Sequence, residues 1–505
     1  MAMNLNRRLL LAAAAGSVLP LPAQAAGHDS ATIGWPTDVS GWDPTLRFSP
    51  DAQGIYKMVF DQPLTQSPKL KLIANVVDKW QLSPDARTLD LELRPDVLFQ
   101  DGTKMTSEDI RYTFFDRPHT KGVAVDVSKS FRSLTGVDTP SPTHAVMHFS
   151  QPFPTAPVWL AFLGSFVLPK EYLSKVGTAE FVKKPIGSGP YRLVEYEINA
   201  RIVLERNEKY WGPKPAVRRI TIQIIKDASA RVAAIQSGQV DLTINVPVRE
   251  ALRLGRVAGL ASELDPITRI ILLQVRNDRA FADENVRLAC HHAIDKEALS
   301  KAFYNGAAVP LSLPAPPGSP GFVPDYHFAY DPKLAMELLA KSGWSPKHPV
   351  KIGFDTTNGQ FPSDYDMARA IAQMWEKVGI KADLNVIEYA QYFELERGDK
   401  LPEATLYSFD NATGDPEIYS GYLLNPKLPF SPWKGEQLGK RVIAQFTVTN
   451  EAERIAGWKK IEEDAVNMGA CMPLLQSVIT LVHKKDLDFT RYGNGWVLGQ
   501  TFHWA

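Results

Sequence analysis

The segment spanning residues 185–242 constrains the fold more than any other part of this chain. Its three motifs, in order, are P-I-G-S-G-P-Y-R-L-V-E-Y at 185–196, L-E-R-N-E-K-Y-W-G at 204–212 and R-V-A-A-I-Q-S-G-Q-V-D-L at 231–242. Between the last two motifs, Ile220, Ile222 and Ile224 alternate with polar residues, which predicts a half-buried strand. The G-S-G-P run lacks the third glycine of a dinucleotide-binding fingerprint and leads into a strand-like segment, so we expect no nucleotide site there.

Further motifs of this kind follow one another in order along the chain. They are W-Q-L-S-P-D-A-R-T-L-D-L-E-L-R at 80–94, F-Q-D-G-T at 99–103, S-E-D-I at 107–110, V-R-L-A-C-H-H-A-I-D-K-E-A-L at 286–299 and Y-D-P-K-L-A-M-E-L-L-A-K-S-G-W at 330–344. In this order the motifs resemble the signature of family 5 extracellular solute-binding proteins, the receptors of ABC importers for oligopeptides, dipeptides, nickel and opines. The resemblance implies that the chain binds and delivers a solute and is not an enzyme.

Length and composition agree with a soluble protein of several domains. A chain of 505 residues is longer than a single hydrophobic core usually supports, so two or three domains are expected. Apolar residues make up 44% and charged residues 22%, which is typical of globular proteins and not of disordered ones. Because 56 basic residues balance 56 acidic ones, no net charge attracts a polyanion, and we expect no nucleic-acid partner.

The N-terminal residues 1–25 have the pattern of a secretory signal peptide. Arg7 and Arg8 precede an apolar or small run at 9–19, and Ala23-Gln24-Ala25 forms a small-x-small cleavage site. The apolar run is shorter than the roughly 20 residues that span a bilayer. We therefore predict export to the periplasm with cleavage near Ala25, by either the general or the twin-arginine route. No cysteine lies near the cleavage site, so no lipid anchor is indicated.

Periodicity along the mature chain predicts a mixed α/β protein. Leu89, Leu91 and Leu93 alternate as in a strand, whereas apolar residues recur at helical spacing from Met367 to Val378, before Gly379. Other predicted features are a strand with Ala382, Leu384 and Val386 on one face, a helix from Asp331-Pro332 to Gly343, a helix capped by Asn450 and Glu453, and an extended proline-rich connection at 310–324.

The resemblance implies an α/β fold of two lobes joined by a hinge, with an additional subdomain inserted in the first lobe. On this chain lobe I would comprise residues 27–70, 187–275 and 480–505, and the inserted subdomain residues 71–186. Lobe II would comprise residues 276–479. The ligand would lie between the lobes, and the partners would be an inner-membrane ABC permease and its ATPases. We expect a monomer.

The resemblance also places the candidate ligand site. The run L-Y-S-F-D-N-A-T-G-D-P-E-I-Y at 406–419 is similar to a ligand-facing loop in which peptide receptors hold the ligand's ammonium group with an aspartate. Asp410 occupies that position, Asn411 follows it, and Tyr407 matches a pocket aromatic. A carboxylate in a closing cleft gains a charge-assisted hydrogen bond from an amine, although an isolated Asx-turn is the alternative for Asp410.

Further candidates come from the first lobe and from aromatic residues. Trp35, Asp38 and Val39 match a strand edge that runs beside the ligand backbone and could pair with an extended peptide. The other candidates that could line the cleft are Trp496, Tyr389, Tyr392 and Asn358.

One departure leaves the ligand open. Dipeptide receptors hold the ligand's carboxylate with an arginine placed before the helix that contains Met367, but the matching stretch here, residues 356–360, reads T-T-N-G-Q. Either another basic residue meets the carboxylate, or the ligand is longer, capped or not a peptide. Receptors for nickel chelates, opines or sugars are therefore the alternative to a peptide receptor.

Sequence motifs of catalytic and metal sites are weak or missing. His291 and His292 are adjacent and lack the spacing of a zinc pair on a helix. No H-E-x-x-H or G-x-S-x-G motif occurs, and the single S-x-x-K at 431–434 lacks its companion motifs. We expect no cofactor and no metal, and a secreted hydrolase stays as a third hypothesis. Cys290 and Cys471 could form a disulfide or remain as two buried thiols.

Overall fold

The computed structural model describes residues 29–47, 50–123, 125–428 and 431–505. The predicted signal peptide at 1–25 lies outside these ranges. Within them, helices are too short or too polar to cross a lipid bilayer.

The described residues form nineteen strands. In chain order they are β1 (Ser30–Trp35), β2 (Leu64–Gln66), β3 (Leu72–Ala74), β4 (Val77–Leu82), β5 (Thr88–Leu93), β6 (Leu134–Ser141), β7 (His144–Phe149), β8 (Tyr191–Glu197), β9 (Arg201–Arg206), β10 (Arg219–Ile224), β11 (Leu242–Ile244), β12 (Leu260–Val275), β13 (Val309–Pro310), β14 (Val350–Thr356), β15 (Ile380–Val386), β16 (Ala404–Phe409), β17 (Met472–Lys484), β18 (Leu487–Asp488) and β19 (His503–Trp504).

Sixteen α-helices accompany these strands in the described part of the chain. They are α1 (Gln53–Val59), α2 (Ser107–Arg111), α3 (Val127–Ser130), α4 (Ala156–Trp159), α5 (Lys170–Val176), α6 (Thr178–Phe181), α7 (Ala228–Gln236), α8 (Val248–Leu254), α9 (Glu284–His292), α10 (Lys296–Tyr304), α11 (Pro332–Lys341), α12 (Asp364–Val378), α13 (Tyr389–Arg397), α14 (Pro416–Leu423), α15 (Glu436–Gln445) and α16 (Glu451–Asn467).

One mixed sheet extends through both halves of the molecule. Its spatial order is β15-β14-β16-β12-β17-β11-β1-β10-β9-β8, and β13 pairs with β17 beside this path. The half with β11, β1, β10, β9 and β8 is called lobe I here, and its core includes Ile33, Tyr191 and Ile220. The half with β16, β14 and β15 is called lobe II, and its core includes Phe354 and Trp375.

Two long antiparallel strands, β12 and β17, join the lobes. Toward lobe I β17 pairs with β11, and toward lobe II β12 pairs with β16. Their mutual pairing shifts register twice, between Pro266 and Ile270 and again between Ile271 and Leu272. At the first shift Pro266 lies opposite Val478 and Ile270 opposite Gln476, so three residues of β12 face one residue of β17. Such a bulge bends a strand and redirects its side chains. The joint between the lobes therefore lies at an irregular part of the sheet.

A separate antiparallel sheet, with the order β4-β5-β7-β6, forms the inserted subdomain. Leu89, Leu91 and Leu93 of β5 are buried in its core, as their alternation predicts. Ile418 of α14 belongs to the same core although it lies far away in sequence, in a helix that follows β16. The inserted subdomain therefore contacts the segment that carries the candidate site.

The G-S-G-P motif has a packing function. A Cβ atom at Gly187 would lie 2.0 Å from the Val59 carbonyl oxygen, and one at Gly189 would lie 2.6 Å from the Val59 carbonyl carbon. The Ser188 hydroxyl donates a hydrogen bond to the buried Asp61 carboxylate at 3.0 Å. The motif therefore lets the start of β8 approach the end of α1 at backbone distance.

Several locally predicted elements are confirmed. Helix α12 ends at Val378, where Gly379 has a φ of 103°, and β15 follows it directly. The Asn450 side chain accepts a hydrogen bond from the Glu453 N–H at the start of α16. The proline-rich connection contains no helix and contributes only β13 to a sheet. The lobe boundaries assigned by residue number stay a prediction.

The two cysteines, Cys290 and Cys471, are both buried and free. Burial raises the pKa of both thiols, that of Cys471 to about 12. The open question of a disulfide is therefore answered by two separate buried thiols.

Candidate functional site

A cavity lies between the lobes, next to the bulge of β12. The space between its walls, including the part open to solvent, amounts to about 710 Å³. Lobe I, the C-terminal segment, the joining strands and lobe II all contribute lining residues: Trp35, Pro36, Pro50, Asp51, Gly54, Ile244, Asn245, Ile267, Arg269, Gln360, Phe361, Pro362, Asp410, Ser477, Val478, Ile479, Asn494, Gly495 and Trp496. A bound molecule would thus contact both lobes.

The lobe I wall is formed by the end of β1 and the start of α1. Trp35, the last residue of β1, is buried and lines the cavity. Its indole N–H donates a hydrogen bond to the Asp51 carbonyl oxygen at 3.1 Å. This contact fixes the aromatic ring against the turn that presents the Asp51 carboxylate to the cavity.

Arg269 projects into the cavity from the bulge of β12. Its Nη2 donates a hydrogen bond to Asp51 Oδ1 at 3.0 Å, and its Nε lies 3.6 Å from Asp410 Oδ1. Burial by itself would lower the pKa of Arg269, but the charges of Asp51 and Asp410 raise it above its ordinary value. One cation from the joint is therefore held between a carboxylate of lobe I and a carboxylate of lobe II.

Asp410 follows β16 and lines the lobe II side of the cavity. Only 14% of its side chain is exposed. Burial raises the pKa of Asp410, the Arg269 guanidinium opposes this shift, and the Asp51 charge adds to it. The sequence-based prediction that Asp410 faces a cleft agrees with this position, while its pairing with an arginine was not predicted.

Aromatic side chains support the Asp410 loop from lobe II. Tyr407 stacks on Tyr392 with ring centroids 4.4 Å apart, and its hydroxyl neighbours that of Tyr389. Tyr389 stays 36% exposed, and burial of the rest of the residue, together with the nearby Asp51 charge, raises its pKa to about 12. Gln360 joins this group, since its amide donates to and accepts from the Ser408 backbone at 3.0 and 3.2 Å. Of these residues, Gln360 lines the cavity directly.

Trp496 closes the cavity from the C-terminal segment. It is buried, and the Lys57 ammonium lies 4.2 Å from the centre of its ring. Burial lowers the pKa of Lys57 to about 7, against the opposing charge of Asp61. The Trp496 ring thus separates a buried lysine of α1 from the cavity.

The predicted pocket aromatics Tyr407 and Tyr389 support the lining from behind, and four more predicted residues also lie away from it. Asp38 accepts hydrogen bonds from the Asn199 N–H at 2.7 Å and the Tyr196 hydroxyl at 3.0 Å, which ties it to the β8–β9 hairpin. Val39 is part of the lobe I core. The fully buried Asn411 side chain bonds within its own turn to residues 413–415, whereas Asn358 is exposed beside the cavity-lining Gln360.

Tyr392 is also held away from the cavity. Its ring is buried, and its hydroxyl donates to Gln274 at 2.8 Å and contacts the Glu396 carboxylate. Burial raises the pKa of Glu396 to about 7. Tyr392 therefore supports Tyr407 from behind and is no wall of the cavity.

Other contacts join lobe II to the opposite side of the cleft. The Gln66 amide donates to the Thr413 carbonyl at 3.1 Å, and the Asn494 amide donates to the Ala412 carbonyl at 3.0 Å. Farther from the cavity, the buried Glu417 carboxylate accepts hydrogen bonds from the Thr155 hydroxyl at 2.9 Å and the Trp159 indole at 3.1 Å. The loop that carries Asp410 is thus held on both flanks.

Arg269 and Asp51 were missed by the sequence analysis. A signal for Arg269 exists, because it is the one charge in the mostly apolar end of a long strand, three residues after Pro266. Asp51 has no such signal, since aspartate before a helix is common. Across the described ranges, no three His, Cys, Asp or Glu side chains are grouped as a metal site.

Comparison with known proteins identifies the family. A profile of the bacterial extracellular solute-binding proteins, family 5 (middle), matches residues 71–427. The chain belongs to this family. The family consists of solute-binding proteins and not of enzymes, and its members adopt the two-lobe α/β fold described above.

Individual relatives differ in what they bind. The dipeptide-binding protein of Escherichia coli K12 is 25% identical over 70% of this chain and 70% of its own length. The nickel-binding periplasmic protein of the same organism is 28% identical over 68% of this chain and 66% of its own length. The periplasmic binding protein DppA from Helicobacter pylori in complex with the peptide STSA superposes with a TM-score of 0.83 at 20% identity, covering 94% of this chain and 98% of that one.

Proposed function

We propose that this protein is the periplasmic receptor of an ABC importer that encloses a peptide or a similar small amine-bearing ligand between its lobes. An inner-membrane permease with its ATPases would receive the ligand, and the receptor would act as a monomer without converting it. The signal peptide would be removed near Ala25 in the course of export. Amino-terminal sequencing of the periplasmic protein tests this last step.

The observation that carries the proposal is the position of Asp410 opposite lobe I. Its carboxylate is largely buried, lines the cavity and lies 3.6 Å from Arg269, which Asp51 also binds, so the two carboxylates exceed the one guanidinium by a negative charge that a cationic group of a ligand can meet. A charge-assisted hydrogen bond between an ammonium group and a carboxylate is shorter and stronger than one between neutral groups. A ligand that contacts both lobes also favours the closed arrangement, because only differential affinity shifts a conformational equilibrium.

Short peptides with a free amine should raise the melting temperature of the purified protein. Asp410→Asn should weaken their binding by roughly 2–5 kcal/mol, because the variant removes one partner of a desolvated charged pair. Isothermal titration with a panel of di- and tripeptides measures this loss. Asp399→Asn is a suitable control, since Asp399 pairs with Arg276 at 2.9 Å away from the cavity lining.

Equal affinity of the Asp410→Asn variant and the unmodified protein would contradict the proposal for this residue. Recovery of cleaved peptide after prolonged incubation would contradict the assignment as a receptor and support the hydrolase hypothesis.

A second candidate function is binding of nickel chelates, opines or sugars. Two observations favour it: residues 356–360 contain no arginine for a peptide carboxylate, and a nickel-binding protein is among the relatives. Mass spectrometry of small molecules released from the purified protein distinguishes the two. A peptide supports the first function, and a chelate, opine or sugar supports the second.

A further inference from the structure

Arg269 has more hydrogen-bond donors than partners. A guanidinium carries five N–H groups in a planar fork. Among the described residues, Arg269 makes one hydrogen bond, from Nη2 to Asp51, and its Nε lies 3.6 Å from Asp410, beyond the usual hydrogen-bond distance. Within that part of the chain, Nη1 makes no hydrogen bond. The guanidinium therefore keeps donors for a bound molecule.

The surroundings of Arg269 make those donors suitable for an anion. Only 16% of its side chain is exposed, and it lines the cavity between the lobes. Among the described residues, Arg269 has no fully buried unpaired atom, so water reaches its remaining donors from the cavity, and a ligand acceptor can take the place of that water. A carboxylate suits this role best, because it pairs with the guanidinium fork through two parallel hydrogen bonds.

The charges beside Arg269 restrict the ligand further. Asp51 and Asp410 contribute two negative charges against one positive charge, so the three groups together attract a cation. An anion without an accompanying amine would be repelled by these carboxylates. The favoured ligand therefore has both an amine and an acidic group.

We propose that the receptor recognises short zwitterionic ligands, with Arg269 binding the ligand's carboxylate and Asp410 together with Asp51 binding its amine. This inference rests on the proposed function and specifies the ligand class of the same site. It also supplies the basic residue that is missing from residues 356–360.

The adjacency of the two anchors sets the ligand's length. Arg269 and Asp410 are ion-pair neighbours, so the groups that they bind lie close together. The termini of an extended peptide move apart by about 3.3–3.6 Å with every residue. Amino acids, dipeptides and compounds of similar size fit this spacing, whereas the two ends of a long extended peptide cannot reach both anchors.

The test compares three forms of one dipeptide panel by isothermal titration: free termini, C-terminal amides and N-acetyl derivatives. The unmodified protein should bind the free forms about 10- to 100-fold more tightly than the amides, as expected for a lost charged hydrogen bond. Acetylated forms should not bind measurably. Arg269→Gln should bind the free and amidated forms equally, and Arg269→Lys should keep part of the preference.

Arg491→Gln serves as the matched control. Arg491 also pairs with two carboxylates of β12, Glu263 at 2.7 Å and Asp265 at 3.1 Å, but it does not line the cavity. This variant should keep the full preference for free acids. Retained binding of amides by Arg269→Gln shows that the variant is folded.

Two results would overturn the inference in different ways. Equal affinity of the unmodified protein for free and amidated dipeptides overturns the role of Arg269 and leaves the peptide function intact. Failure of every form to bind overturns the peptide function and, with it, the inference.

Discussion

Asp61 links the G-S-G-P motif to the motif at residues 204–212, both in the segment 185–242. Its buried carboxylate accepts hydrogen bonds from the Ser188 hydroxyl and the Trp211 indole, each at 3.0 Å. Burial raises the pKa of Asp61, and these two donors and Asn75 oppose the shift. The motif residues that identify the family are therefore scaffold residues, which explains why they reveal the fold and say nothing about the ligand.

Gly189→Ala should destabilise the protein. The added Cβ would lie 2.6 Å from a backbone atom of Val59 that cannot move independently. Overpacking of this kind costs typically 1–3 kcal/mol, which should lower the denaturant midpoint. Gly136→Ala is the control, since an added Cβ meets no atom within 4 Å there and should leave the midpoint nearly unchanged. Equal midpoints for the two variants would contradict the packing role.

Individual site residues were predictable to different degrees. The cavity-lining position of Asp410 could be predicted because a local motif carries it, and its role in binding stays a prediction. Asp38 and Asn411 were predicted from the same kind of evidence, yet neighbouring backbone groups and a tyrosine use their oxygens. Which acceptors remain free for a ligand depends on contacts between distant segments, and one sequence does not contain that information.

Among the elements, helix α14 connects lobe II to the inserted subdomain. Its Glu417 accepts hydrogen bonds from Thr155 and Trp159, and Ile418 packs into the core of that subdomain. On the other side, Arg454 of α16 makes a two-point ion pair with Asp415 at 2.9 and 2.7 Å. The buried Glu417 carboxylate therefore lies where α14 of lobe II contacts the inserted subdomain of lobe I.

The stability of this contact should depend on pH. Burial and the neighbouring Asp415 charge raise the pKa of Glu417 to about 7, and Arg454, Trp159 and Thr155 oppose the shift. The folded state therefore keeps a proton that the unfolded chain loses above its ordinary glutamate pKa. The protonated Glu417 therefore contributes its full share of the folding free energy below about pH 4.5, and this share is lost as the pH rises to about 7.

Glu417→Gln should remove that share of the pH dependence. Relative to the unmodified protein, the variant should gain roughly 1–3 kcal/mol of stability between pH 5 and pH 8. Urea titrations at several pH values measure the difference. Glu436→Gln is the control, because this side chain is 85% exposed. Its free energy of unfolding should differ from that of the unmodified protein by the same amount at every pH. An equally constant offset for Glu417→Gln would contradict the prediction.

Helices and strands with a clear period were predicted well. Strands β5, β10 and β15 and helix α12 follow local alternation or helical spacing, which one segment contains by itself. The bulge of β12 was not predicted, because it depends on pairing with β17 from the far end of the chain.

At the scale of the whole molecule, ligand binding should make the protein more compact. A ligand that bridges Asp410 and the lobe I wall favours the closed form over any more open one. Solution scattering with a saturating zwitterionic dipeptide should show a smaller radius of gyration than scattering without it. Asp410→Asn should show no change at the same dipeptide concentration. Identical curves for the unmodified protein in both conditions would contradict closure.

The two-lobe architecture was predictable because ordered motifs along most of the chain carry it. The set of charged residues that line the cavity was not predictable. Arg269, Asp51 and Asp410 come from three separate segments, and they meet only when both lobes and their joint are in place.

The bulge of β12 carries the side chain that we assign to the ligand's carboxylate, so that group sits at the pivot of any lobe movement. Atoms close to a hinge move little when the lobes rotate, whereas atoms at the far edges of the lobes move a long way. We therefore expect the acidic end of an incoming molecule to be captured first by the stationary arginine. Asp410 would arrive with its moving lobe and engage the amine afterwards, so that the anionic contact governs the rate of capture and the cationic contact governs the rate of escape.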